Sequence, residues 1–339
     1  MKTSLSDMDF SCLTADVGGT NVRFGVVNHK ANDPSRPLIT DQMIYPCASF
    51  ESIDVAVETY RDQLKQPLPG IACVAVAGPV KNNIVRMTNR DWMISGMDLT
   101  SRFGFEEVIL LNDAEAIAYA TRVIDPSELR NVKPGQAMEG SPTAVITAGT
   151  GVGVSSIAPF DGRWYPLASE AGHISLSPHT AKEIALFDFV RSVSGSISAE
   201  LMLCGEGIRR IYYALAAIEG IVVEKAEPKE IAELALKGED PLAVETLEIY
   251  SSLLGSYAGD IALTFGARGG VYLAGNVMRT IEPFLAKHDQ FRTSFENKRS
   301  MMHYLEEIPV NVIMVEEPGM VGASAWLDHS LATRSRLGR

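Results

Sequence analysis

Two stretches of the chain repeat one hydrophobic pattern. Leu13 to Val27, LTADVGGTNVRFGVV, runs apolar up to Gly18-Gly19 and resumes with Val22, Phe24, Val26 and Val27. Apolar runs on either side of a glycine pair predict two strands joined by a tight turn. Ala144 to Ile157, AVITAGTGVGVSSI, repeats the plan with a β-branched run, the small-residue turn Gly149-Thr150-Gly151 and a second run. A further pair strengthens the repeat: Ile71 to Val80, IACVAVAGPV, and Gly270 to Val277, GVYLAGNV, are apolar strands that both end in Ala-Gly-x-Val. Each follows its own glycine hairpin, so the duplication keeps its order along the chain.

Helical patterns lie between these strands. Phe50 to Gln66 carries Ile53, Val57, Tyr60 and Leu64 on one face, and Pro241 to Phe265 carries Leu247, Tyr250, Leu254, Tyr257, Ile261 and Phe265 at helical spacing. Glu107 to Asn112, EVILLN, predicts a buried strand followed by a helix from Ala114. Pro309 to Val315 predicts a strand, and Gly319 to Leu327 a helix of small residues. Strands alternating with helices imply α/β layering. At roughly 100–200 residues per domain, 339 residues suit two domains. No Pro- or Ser-rich linker marks their boundary, so the repeat places it between the two glycine hairpins, in the loop-like region around 123–143.

Composition narrows the function classes. Thirty Lys and Arg against 42 Asp and Glu leave a net charge of −12, which repels nucleic acid and anionic membranes unless positive charge is segregated. The basic cluster Arg334, Arg336, Arg339 reads as a solvated tail. Cys12, Cys47, Cys73 and Cys204 form no CxxC pair, and the six histidines show no ligand spacing, so neither a zinc site nor a transition-metal enzyme is expected. The N-terminus MKTSLSDMDF has no basic segment leading into an apolar run, and no uninterrupted apolar stretch reaches about 18 residues. A reduced, cytoplasmic protein is expected.

The glycine turns are where chemistry enters. Two such hairpins can hold a nucleoside triphosphate, because backbone N–H groups at tight turns converge on phosphate oxygens and only small residues let the backbone come that close. In the first, Asp16 ends the strand, where its carboxylate suits Mg²⁺ held through water, and Thr20 and Asn21 add polar contacts. One strand–Gly–Gly–strand is usually only a hairpin; the second, with Gly149, Thr150, Gly151 and Gly153, is what supports phosphate. Neither has the Rossmann or Walker A spacing. Asn112-Asp113 stands at the carboxyl end of a buried strand, where open α/β sheets place ligands. Asp113 there suits a base that takes a proton from an attacking hydroxyl. Asn112 with Glu115 equally suits a capping box, and the two readings are compatible.

Ser169-Glu170-Ala171-Gly172-His173 sets a carboxylate and an imidazole among small residues, which suits a polyol's hydroxyls. Read alone, Glu170 and His173 are a surface carboxylate and a satisfied histidine, and Glu200 in Ser198-Ala199-Glu200 a solvated helix position. Cys204-Gly205-Glu206-Gly207 interrupts two helical stretches, and the helix from Ile208 offers its N-terminus to a phosphate, with Glu206 working against an anion.

In order, Asp16-Val17-Gly18-Gly19-Thr20-Asn21, Leu111-Asn112-Asp113, Ala148-Gly149-Thr150-Gly151, Glu170-x-Gly172-His173, Ser198-Ala199-Glu200 and Pro318-Gly319 resemble the bacterial ATP-dependent glucokinases of the hexokinase, actin and Hsp70 superfamily, over nearly the whole chain. The resemblance implies an α/β protein in which a ribonuclease H-like fold is duplicated into two domains around a cleft, the actin-like ATPase fold. Residues 1–122 with 315–339 would form the small domain and 123–314 the large one. It implies transfer of the γ-phosphoryl of Mg-ATP to the 6-hydroxyl of D-glucose, the first step of glycolysis. By the same resemblance Asp113 is the catalytic base, and Asn112, Glu170, His173 and Glu200 hydrogen-bond the pyranose. Asp16, Gly18, Gly19, Thr20 and Asn21 form the first phosphate loop, Gly149, Thr150 and Gly151 the second, and a homodimer is expected. Ser169 and Ala171 replace glycines frequent in the family, and Cys204-Gly205-Glu206-Gly207 replaces Ser-Gly-Pro-Gly. The alternatives are a kinase for mannose, fructose or an N-acetylhexosamine, a catalytically silent sugar sensor, or a nucleotide hydrolase acting on protein.

Overall fold

The computed structural model describes residues 10–29, 38–87 and 90–336. The N-terminal residues read for a leader, up to Asp9, and Arg339 of the basic tail lie outside the described residues. The chain divides into two compact units, one made of residues up to Asp125 and from Val315 onward, the other of Pro126–Met314.

The first unit runs β1 Phe10–Val17, β2 Asn21–His29, β3 Ile39–Pro46, α1 Ile53–Gln63, β4 Ile71–Val76, β5 Ile84–Arg86, β6 Met93–Ser95, α2 Gly96–Phe103, β7 Glu107–Asn112 and α3 Asp113–Ala120. Its sheet has the order β3-β2-β1-β4-β7. Neighbouring pairs among β1, β2 and β3 are antiparallel, whereas β4 lies parallel to both β1 and β7. All six residues of β4 are buried, as a central strand covered on both faces requires. The period of two sorts them: Ala72, Val74 and Val76 join Leu13, Ala15 and Val17 in one core with α1, while Ile71, Cys73 and Ala75 join Cys12 in the other. In the first core the Tyr60 ring of α1 stacks on Phe24 at 5.0 Å. Asn83, with φ +59, turns its carboxamide onto the free side of β7, donating to Val108 O and accepting from Leu110 N at 2.8 Å each.

The second unit runs β8 Leu129–Lys133, β9 Thr143–Ala148, β10 Val152–Phe160, β11 Arg163–Ser169, α4 Ala181–Ser194, α5 Ala199–Leu203, α6 Gly205–Glu219, α7 Pro228–Lys237, α8 Pro241–Phe265, β12 Val271–Ala274, α9 Asn276–Lys287, α10 Gln290–Glu296, α11 Met302–Glu306 and β13 Val310–Ile313. Its sheet has the order β11-β10-β9-β12-β13-β8. Without β8, the strand order and directions are those of the first unit, so both units carry the ribonuclease H-like plan. The last helix, α12 Pro318–Arg336, belongs to the first unit. It covers the second face of that sheet with Ala323 and Leu327, and crosses α3 so closely that a Cβ on Gly322 would come 1.7 Å from Ala116 O.

The duplication extends to backbone conformation. β4 and β12 each lead into a glycine with positive φ, +132° at Gly78 and +98° at Gly275, a region that glycine enters at little cost. The parallel then ends, since Asn276 opens α9 whereas Pro79 and Val80 are irregular. The region 123–143 is not loop throughout. Leu129–Lys133 forms β8, an edge strand antiparallel to β13, and its sequence LRNVK, with Leu129 and Val132 as its apolar residues, has neither an apolar run nor an alternation to mark it.

α8 is buried almost all round, and Asp240 caps it by accepting from Leu242 N at 2.9 Å. The other oxygen of Asp240 accepts a hydrogen bond from the Tyr212 hydroxyl of α6 at 2.7 Å. Burial and this carboxylate push the Tyr212 phenol up to about 12. Tyr212→Phe should cost about 1.5–3 kcal/mol, the scale for a hydrogen bond to a charged group. The folded phenol keeps its proton where the unfolded one has lost it, so stability falls as pH rises from 10 toward 12. The variant should lack that part of the alkaline loss in denaturant titrations across this range. Among the described residues the four cysteines are buried and form no disulfide, and no helix is long and apolar enough to cross a membrane.

Candidate active site

In the first unit the register aligns the carboxyl ends of the parallel strands. Val17 stands opposite Val76, and Val76 opposite Asn112. The turn after β1, the glycine after β4 and Asn112-Asp113 after β7 therefore lie along one sheet end, where α/β folds bind ligands. The turn is tight, with Gly18 N–H donating to Asn21 O at 3.0 Å. Thr20 is exposed at its tip, and Asn21 opens β2.

Asp16, with 18% of its side chain exposed, sits across the ladder from Arg23, whose Nη1 is 3.5 Å from Asp16 Oδ2. The Nε of the same guanidinium lies 2.7 Å from Glu317 Oε2, just before α12. One cation thus meets two carboxylates at the end of β1. Burial pushes the Asp16 carboxyl above its ordinary range, and Arg23 acts in the opposite sense. Gly319 leaves room for this carboxylate, since a Cβ there would stand 3.2 Å from its carbon.

Asn112 makes the capping box. Its Oδ1 accepts from Ala114 N at 3.0 Å and Glu115 N at 3.3 Å, and Glu115 Oε2 accepts from Asn112 N at 3.3 Å. Its Nδ2 donates to Gly78 O at 3.0 Å, leaving one N–H of the amide for another acceptor. Asp113 is the first residue of α3, and its Oδ1 accepts from Ala114 N at 2.9 Å. The cap orients the helix start that carries the acid.

The second unit gathers its candidates around the other turn. Gly149 N–H donates to Gly151 O at 3.0 Å, and Thr150 is exposed. Gly153 lies past the turn, within the strand ladder, and exchanges hydrogen bonds with the Thr147 hydroxyl at 3.1 and 3.3 Å. Glu200 reaches the turn from α5: its Oε2 accepts from Val152 N at 3.0 Å, and a Cβ on Gly151 would meet that oxygen at 2.5 Å. Only glycine at position 151 lets this carboxylate approach. Glu170 precedes and His173 ends a short 3-10 turn, Ala171–His173, with side chains 65% and 60% exposed and Oε2 3.9 Å from Nε2. Ser169 Oγ accepts from Ala171 N at 3.0 Å, and the Tyr257 hydroxyl donates to Ala171 O at 2.7 Å. Gly172 packs this turn onto β10, where a Cβ would strike Val152 O at 2.0 Å. Ala199 N–H donates to Ile174 O at 2.9 Å, tying the turn to α5.

Cys204 is one extended residue between α5 and α6. Gly205 N–H, the first of α6, donates to Gly149 O at 2.9 Å, so this segment docks on the second glycine turn through its backbone. Glu206 pairs with Arg209 at 2.5 Å, and its charge is met within the helix.

Several residues of these sites escaped the sequence reading. Arg23 and Glu317 meet across a long sequence separation, and only Arg23, on the strand facing Asp16, stood near a recognised motif. Gly78 and Gly275 were legible as part of the repeated Ala-Gly-x-Val.

A family model described as glucokinase matches residues 13–330. The chain belongs to the glucokinase family. It is 39% identical over 317 residues to a protein named glucokinase from Saccharophagus degradans, covering 93% of this chain and 98% of the relative. It is 38% identical over 320 residues to a glucokinase of Neisseria meningitidis, covering 94% and 95%. Among solved structures, the glucokinase of an Antarctic psychrotroph superposes with a TM-score of 0.83 at 33% identity, over 94% of this chain and 99% of that one. A glucokinase from Balamuthia mandrillaris, solved with glucose, matches with a TM-score of 0.79 at 20% identity, over 95% and 94%, and shares the fold. The fold is that of the actin-like ATPases, and membership of the glucokinase family makes the protein an enzyme, a kinase.

Proposed function

We propose that the protein transfers the γ-phosphoryl of ATP to the 6-hydroxyl of D-glucose, giving glucose 6-phosphate and ADP, with Asp113 as the base. The observation that carries the assignment is the row Val17, Val76, Asn112, which sets Asp113 and the first glycine turn at one end of one sheet. Asp113 accepts the hydroxyl proton as the oxygen attacks phosphorus. Asn112, Glu170, His173 and Glu200 hold the pyranose hydroxyls, a set of donors and acceptors that a nucleotide hydrolase acting on protein does not need. The turns Gly18-Gly19-Thr20-Asn21 and Gly149-Thr150-Gly151 hold phosphate oxygens through backbone N–H groups. Glu200, with one oxygen on Val152 N, joins the sugar set to the second turn.

The donor set at β1 fits a hard cation. Asp16 and Glu317 share one guanidinium, and the Asp16 carboxylate, at the end of its strand, suits Mg²⁺ held through water. When bound, Mg²⁺ neutralises charge on the transferring phosphoryl. A cytoplasmic location and a homodimer belong to the same proposal. Four buried cysteines that form no disulfide suit a reducing compartment, and sedimentation velocity tests the dimer.

One coupled assay of ADP release, run over glucose, mannose, fructose and N-acetylglucosamine with and without Mg²⁺, tests the assignment. Glucose should give the highest kcat/KM, and omission of Mg²⁺ should abolish turnover. Another hexose ahead of glucose would reassign the substrate. Steady ADP release without sugar, or glucose binding without ADP release, would overturn the proposal.

A further inference from the structure

A glycine turn that cradles phosphate needs its peptide planes fixed, because glycine leaves them free to rotate. In the first turn all three carbonyls are held from outside the hairpin. Cys47 Sγ donates to Gly18 O at 3.4 Å, and Cys47 N–H donates to Thr20 O at 2.8 Å. Between them, Arg90 Nε–H donates to Gly19 O at 3.0 Å, from a segment 71 residues further along the chain. The Arg90 guanidinium lies over the ring of buried Trp92, 5.5 Å from its centroid, which steadies the donor.

A peptide unit is planar and trans, so its C=O and N–H point in opposite directions. Holding Gly18 O toward Cys47 therefore turns Gly19 N–H away from Cys47, and holding Gly19 O toward Arg90 turns Thr20 N–H away from Arg90. Neither N–H meets an acceptor among the described residues, and Thr20 is exposed. We propose that Arg90 is a positioning residue for phosphoryl transfer, whose hydrogen bond to Gly19 O aims the Thr20 N–H at a nucleotide phosphate. The proposal rests on the assignment of Asp16 to Asn21 as a phosphate loop. Arg90 works from the back of the loop, and touches the reaction only through the peptide it holds.

The test pairs kinetics with the amide itself. In protein labelled with ¹⁵N-threonine, Mg·AMP-PNP should shift the wild-type Thr20 resonance, assigned by its loss in Thr20→Ser. Arg90→Met keeps an unbranched aliphatic side chain and removes the donor. It should lose the shift and lower kcat/KM for ATP about 10-fold, the value of one net hydrogen bond, with KM for glucose unchanged. Arg90→Lys keeps a donor and should recover most of both, and Arg90→Leu, which also lacks a donor, replaces Arg90→Met in the comparison if that variant does not fold. Arg90→Met with a wild-type shift and kcat/KM would overturn the proposal, as would Arg90→Lys no better than Arg90→Met. A wild-type Thr20 resonance indifferent to Mg·AMP-PNP sinks the phosphate-loop assignment itself, and Arg90 with it, whereas the Arg90 variants test only the aiming.

Discussion

Asp113→Ala will lower turnover by roughly 10²–10⁴-fold, the usual loss on removing a positioned general base, while KM for glucose changes little. The fold should survive, because the start of α3 does not depend on this side chain alone. Asn112 Oδ1 still accepts from Ala114 N and Glu115 N, and Glu115 still closes the capping box. Asp113→Asn separates chemistry from structure more finely. It keeps the size and an oxygen for Ala114 N, and removes only the ability to take a proton, so it should lose about as much turnover as alanine. Coupled-assay kcat and thermal unfolding of both variants check this together. Near wild-type turnover in either would remove Asp113 from the reaction.

Lys133→Met will destabilise the second unit by about 3 kcal/mol, on the scale for leaving buried acceptors unpaired, and leave kcat of the folded enzyme unchanged. Lys133 ends β8 with no exposed side-chain surface, and its ammonium donates to Pro134 O, Glu306 O and Ile308 O at 3.1, 3.1 and 2.9 Å. It also pairs with Glu296 at 3.2 Å and lies 5.2 Å from the Phe295 ring centroid. Methionine matches the volume and supplies no donor, so three carbonyls lose a partner at once. Glu296 keeps Arg292 at 3.3 Å, which limits the loss on the carboxylate side. Burial holds this ammonium below its ordinary 10.5. Between the folded value and 10.5 the unfolded chain binds the extra proton, so this group's contribution to stability rises with pH there. The variant should lose that rise. Chemical unfolding midpoints at two alkaline pH values measure both effects, and an unchanged midpoint would mean that water replaces the ammonium.

Both predictions bear on what can be read from a sequence. The strand–glycine turn–strand repeats were legible because alternation and small turn residues are local signals, and Asn112 with Glu115 named its own cap. α8 was legible because 25 residues kept one helical period between a proline and a glycine. β8 was not, since its place at the sheet edge is set by pairing with β13 rather than by its own polar sequence. Lys133 reads as a surface lysine until the chain returns through Glu306 and Ile308 to surround it. Arg90 was silent for the same reason: its partner is a backbone carbonyl, and carbonyls carry no sequence signature. Glu200 read alone as a solvated helix position and gained a sugar role only through the family resemblance, whereas its hold on Val152 N appears only when α5 and β10 are assembled.

The return of α12 to the first unit has a consequence for how the protein is made. The second unit is one unbroken stretch, Pro126–Met314, and has every strand of its sheet as soon as that stretch leaves the ribosome. The first unit starts earlier and finishes later. Until Ala323 and Leu327 are synthesised, Cys12, Ile71, Cys73, Ala75 and Leu111 show an apolar sheet face to water. The nascent N-terminal portion must therefore wait with a sticky surface through the synthesis of the entire second unit, and a chaperone that shields such faces would matter most in that interval.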